Sequence, residues 1–144
     1  MKTDAQAINA GEISAQRTGV KIWIGRVLSG LAILFLLSDS IPKILKAQYV
    51  MQASAKFGYP TQYIPAIGIT LLVLTILYVI SRTSIFAAIL LTGYLGGAVE
   101  ANLRTFSPFF SNTLFPVYFA VFVWGGIYLR DDLIKQFIPF RKKN

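Results

Sequence analysis

Four apolar runs of about 15–18 residues decide what this chain can fold into. They cover residues 20–37, 64–80, 85–99 and 114–129. Only Lys21 and Arg26 interrupt the first, and the second carries no charge. The third runs into Glu100 and Arg104, and the fourth ends at Arg130, Asp131 and Asp132. About 20 apolar residues in a helix cross the hydrocarbon core of a bilayer, so each run needs one flanking turn to complete a crossing, and each has one. The chain is therefore expected to be all-α, an integral membrane four-helix bundle of antiparallel transmembrane helices at about 20–40, 62–80, 84–103 and 113–130.

With 144 residues there is room for one domain. A soluble domain of this size has too little interior to hide a 55% hydrophobic composition with a mean hydropathy of +0.60. Residues 1–19 are polar, mixed in charge and without strong period, and are expected to form a flexible cytoplasmic tail ahead of the transmembrane domain, 20–130. A length of tail this long and three further spans argue against a cleaved leader. Residues 131–144 form a basic tail ending in Arg141, Lys142 and Lys143. The break at 81–84 is short enough to demand a helical hairpin, and its Ser and Thr residues are N-cap candidates. Pro116 falls in the first turn of the last span, and the other five prolines lie at or beyond helix ends. Between the first two spans, residues 41–63 mix Lys43, Lys46 and Lys56 with apolar residues at roughly helical spacing, which predicts a short helix lying at the interface.

Charge asymmetry sets the expected orientation. With four crossings, Lys2, Arg17, Lys21, Arg82, Arg130, Lys135 and the basic end share one side, against Lys43, Lys46, Lys56 and Arg104 on the other. The richer side should be cytoplasmic, placing both termini inside. The net charge of +8 does not indicate nucleic acid, because the basic residues border apolar runs and form no stripe along a polar helix; their expected partners are membrane lipids. The chain has neither cysteine nor histidine, which removes thiol chemistry, cysteine-ligated clusters and the usual zinc and haem ligand sets. No metal or haem is expected, and a redox role would need a quinone or flavin.

Polar residues converge on the outer end: Asp39 and Lys43 closing the first span, Glu100 and Arg104 closing the third with Asn102 nearby, and Asn112 opening the fourth. Both acid–base pairs are spaced i,i+4 with the acid first, the better order for a helical ion pair. In a bundle the two pairs are placed to link the first and third spans. Two readings stand side by side. One is a polar pocket for a headgroup, a quinone carbonyl or a small anion; the other, commoner, is a pair of ion pairs pinning helix ends at the water line. Gly93 and Gly97, with Gly96 beside them, make a GxxxG that would let another helix approach within the bundle. Gly25 with Ser29, and Gly125 with Gly126, offer matching notches. Trp23, Tyr78, Tyr94, Trp124 and Tyr128 are expected in an interfacial belt.

The stretches Phe57-Gly58-Tyr59-Pro60, Leu91-Thr92-Gly93-Tyr94-Leu95-Gly96-Gly97-Ala98-Val99, Leu114-Phe115-Pro116-Val117-Tyr118 and Trp124-Gly125-Gly126-Ile127-Tyr128-Leu129-Arg130-Asp131 are similar to signature segments of the DoxX-like family. The resemblance runs from about 26 to 130 and includes the Asp39…Lys43 pattern. It implies a small bacterial four-helix protein of the cytoplasmic membrane. Some relatives are associated with membrane oxidoreductase complexes and quinone reduction. Where many relatives read Ala-Thr-His-x-Arg, this chain has Glu100-Ala101-Asn102-Leu103-Arg104, so a role resting on that histidine is in doubt here. The expected function is a non-catalytic subunit or scaffold of such a complex. A quinone-binding oxidoreductase component and a small-solute transporter acting as an oligomer are the alternatives.

Overall fold

The structure, a computed structural model, describes residues 2–137 and places them in six α-helices: α1 (Lys2–Ile44), α2 (Gln48–Lys56), α3 (Ile64–Val79), α4 (Ser84–Arg104), α5 (Phe115–Arg130) and α6 (Asp132–Phe137). A 3-10 turn, Thr61–Tyr63, leads into α3, and a π-helical turn, Phe109–Thr113, leads into α5. Four segments are long and apolar enough to cross a membrane: Gln6–Ile44, Thr61–Val79, Ser84–Arg104 and Phe109–Arg130. The chain is a multi-pass helical membrane protein. Helix α1 packs against α3 and α5, and α4 packs against the same two, so the four long helices form a square with α1 and α4 on one diagonal.

The burial pattern is what lipid requires. The core holds Ala32, Leu36, Leu71, Leu74, Ala87, Ala88, Leu91, Val123 and Ile127. Yet the outward residues are equally apolar, with Leu34 66%, Val121 62% and Phe86 59% exposed. A helix that is hydrophobic all round belongs in a core or a bilayer. Several polar groups inside find partners on their own or a neighbouring helix, whereas one terminal guanidinium nitrogen of Arg130 is buried without a hydrogen-bond partner. Tyr78, fully buried, donates to the Val123 carbonyl at 2.9 Å and lies 3.1 Å from Ser29 Oγ. Thr75 Oγ1 donates to the Leu71 carbonyl at 2.8 Å.

Close approaches occur at three glycines. A Cβ on Gly25 would meet Leu129 Cβ at 2.9 Å, one on Gly68 would meet Lys43 Cβ at 2.8 Å, and one on Gly126 would collide with Ser29 Oγ. The expected match of Gly25 and Ser29 with Gly126 is present. The GxxxG of α4 behaves differently: a Cβ on Gly93, Gly96 or Gly97 would meet nothing within 4 Å, so no helix of the bundle approaches there.

Other expectations need adjusting. Residues 2–19, expected as a flexible tail without strong period, are helical and continue α1; they include Ala5, Ala7, Ala10 and Ala15, the strongest helix formers. Pro42 lies inside the last turn of α1, where its missing N–H removes one i to i−4 bond just before the helix ends. The start of the basic tail is helix α6, anchored by buried Ile134, while Arg141, Lys142 and Lys143 lie outside the described residues. In the α3–α4 hairpin the Thr83 hydroxyl caps the preceding helix, donating to the Leu77 carbonyl at 2.7 Å, and provides no N-cap to α4. A short helix is present within 41–63, as expected, and is α2.

Candidate functional site

Helices α1 and α4 end where α3 and α5 begin, and α2 lies across this end of the bundle. Both α1 and α4 stop at a residue in the left-handed region, Lys46 (φ 53°) and Phe106 (φ 51°). The amide three residues past each helix then closes back on its last turn, Ala47 to the Pro42 carbonyl at 2.9 Å and Ser107 to the Asn102 carbonyl at 3.1 Å. These turns direct the chain sideways, into α2 and into the π-helical turn, and leave a cavity of about 790 Å³ between them and the helix ends. That volume lies within the range of small-molecule sites.

Each wall follows from helical spacing. Helix α1 contributes Phe35, Asp39 and Lys43, at i, i+4 and i+8 on one face. Helix α2 and the loop after it contribute Tyr49, Val50, Ala53, Ser54, Phe57 and Tyr59. Helix α4 contributes Gly93, Tyr94, Gly97, Ala98, Ala101 and Asn102, and the chain entering α5 adds Ser111, Asn112, Phe115 and Pro116. Phe35 stacks on Phe119 with centroids 3.5 Å apart and meets Phe115 edge-on at 5.1 Å, so an aromatic layer closes the inner side.

The polar centre is Lys43. Its Nζ lies 2.5 Å from Asp39 Oδ2 and donates to the Tyr94 hydroxyl at 3.1 Å, bringing α1 and α4 together across the diagonal of the bundle. The Lys43 side chain is 19% exposed and that of Asp39 37%, so the pair is largely sheltered by the protein. Asp39 neutralises the ammonium, which otherwise would be costly at this depth. Asn102 donates its amide to the Ala98 carbonyl at 2.8 Å, and the exposed Asn112 faces the same space.

The structure thus brings Asp39, Lys43 and Asn112 together and leaves Glu100 and Arg104 out. Those two pair with each other on the outer surface, with side chains 55% and 77% exposed, and do not line the cavity. The reason is rotational. Glu100 is six residues beyond Tyr94, about 120° around the helix from it, whereas Ala98 and Ala101, at i+4 and i+7, share its face. The expected link between the two ion pairs is therefore absent. Tyr94 takes the place that Glu100 and Arg104 were expected to hold. Of the aromatic residues expected in an interfacial belt, Tyr78 is buried in the core, and Trp124 Nε1 donates to Thr92 Oγ1 at 2.8 Å. The spacing of Tyr94 with Ala98 and Ala101 was the available signal.

The family model of the DoxX-like family matches residues 27–126. The chain belongs to the DoxX-like family. The match covers every cavity-lining residue, from Phe35 to Pro116, together with the Gly126 contact at its last position. No curated protein and no solved structure gives a match. Within this DoxX-like chain the cavity offers two donors, aromatic faces and no net charge at its polar centre, a combination suited to a neutral, ring-bearing molecule with an accepting oxygen.

Proposed function

We propose that this chain is a membrane subunit that binds a lipophilic ring compound of the quinone class and holds it for a membrane oxidoreductase complex. The observation that carries the reading is Lys43, which bridges Asp39 and Tyr94 at the wall of a largely apolar cavity. An ammonium has three N–H donors. Two go to Asp39 and Tyr94, so one remains, together with the Tyr94 hydroxyl hydrogen, for a carbonyl oxygen. Because Asp39 already balances the charge, the site favours a neutral dipole over an anion. Phe35, Tyr49, Phe57 and Phe115 supply apolar contact to a ring. The bound ring would carry the electron chemistry, and the residues of this chain bind and orient it. The charge asymmetry of the sequence supports an outward-facing position for this end in a bacterial cytoplasmic membrane.

The reading is tested with the full chain in nanodiscs, titrating a short-tailed quinone and following tryptophan fluorescence. Lys43→Met and Tyr94→Phe are each expected to raise Kd roughly tenfold, the value of one lost hydrogen bond in a water-poor site. Glu100→Ala should leave Kd unchanged. Wild-type affinity in both cavity variants would overturn the proposal.

A further inference from the structure

Glycine inside a transmembrane helix ordinarily marks the close approach of a neighbouring helix. Gly25, Gly68 and Gly126 obey that rule, because each would collide with an adjacent helix if it carried a Cβ. Gly93 and Gly97 do not. They lie in the interior of α4 with helical backbone, where glycine is the poorest helix former after proline. A Cβ at either would stand in open space, and both line the cavity. Gly96, one residue away, is equally uncrowded but is no part of the cavity wall.

The two cavity glycines are one helical turn apart, about 6 Å along the axis, and flank the turn that begins with Tyr94. Over that turn the helix presents bare backbone. Phe35 on α1 and Phe115 on α5, which meet edge-on, line the same cavity. The cavity is thus bounded by flat backbone and by aromatic side chains, with the Lys43 and Tyr94 donors at its polar edge.

Resting on the cavity as the ligand site, we infer that Gly93 and Gly97 form a slot for a planar ring lying against the backbone of α4, and that they set the ring width the site accepts. A methyl group there disturbs no protein atom but takes space from the ligand. Selectivity between a single-ring and a fused two-ring quinone is then a property of these two positions.

The full chain in nanodiscs is titrated with a short-tailed benzoquinone and a short-tailed naphthoquinone, as wild type, Gly93→Ala, Gly97→Ala, Gly97→Leu and Gly96→Ala, with helical content and particle mass checked for each. Gly93→Ala and Gly97→Ala are expected to weaken the two-ring compound at least tenfold more than the single-ring one, the scale of a methyl misfit in a shaped pocket. Gly97→Leu should weaken both, and Gly96→Ala should match wild type. Should Gly97→Leu fail to fold, the two alanine variants carry the test, since their methyl groups meet nothing within 4 Å. Unchanged ring preference in both alanine variants, with wild type binding quinone, overturns the slot alone. Unchanged binding with altered particle mass would assign the glycines to a contact with a second helix and overturn it also. Failure of wild type to bind either compound overturns the quinone reading and the slot together.

Discussion

Glycine has two opposite uses in this molecule, and they separate at the level of single atoms. At Gly126 the missing side chain lets α1 and α5 touch through Ser29, whereas at Gly97 it leaves space. Gly126→Ala is therefore expected to destabilise the bundle by about 2 kcal/mol, the usual effect of an extra group forced into a packed site. Gly97→Ala should be neutral or slightly stabilising, through helix propensity. Thermal unfolding in one detergent compares them; equal losses would mean that both glycines serve helix packing. Tyr78→Phe removes the hydrogen bond to the Val123 carbonyl and leaves that acceptor buried, with an expected loss of about 1 kcal/mol in the same assay.

At the level of elements, the two left-handed residues that end α1 and α4 define the site as much as any lining side chain. Neither Lys46 nor Phe106 is glycine, so each turn holds a conformation that costs about 1 kcal/mol or more. Phe106→Gly is expected to raise the unfolding midpoint by a few degrees, because the side chain is 96% exposed and contributes little packing. A lower midpoint would mean that the phenyl group anchors the loop in the detergent or lipid boundary. The elements themselves were legible in the sequence, since runs such as 64–80 allow no other structure in lipid. The rotation of each helix was not. In a soluble bundle polarity marks the outward face, but here buried Leu71 and exposed Val73 are both apolar. Hence Asp39, Lys43 and Asn112 could be assigned to the correct end of the bundle, while Glu100 and Arg104 were placed with them although they face outward. Residues 2–19 misled for the opposite reason: alanine content favoured helix where the lack of an apolar stripe argued for none.

For the molecule as a whole, four spans place both ends of the helical domain on one side of the membrane, and α2 on the other. A single cysteine at Lys56, in a chain that has no other, should react with an impermeant maleimide in intact cells; labelling only after lysis would reverse the orientation. The square of helices, its tight α1–α5 contact and the cavity at the α2 end together describe a bundle open to a ligand at one end, the site proposed for a quinone. Photolabelling with an azidoquinone in native membranes, followed by peptide mapping, tests that description most directly. The account predicts label confined to the α2 segment and the Gly93–Asn102 part of α4, competed away by unlabelled quinone. Label spread over the lipid-facing surfaces of α3 and α5, unaffected by competitor, would contradict it.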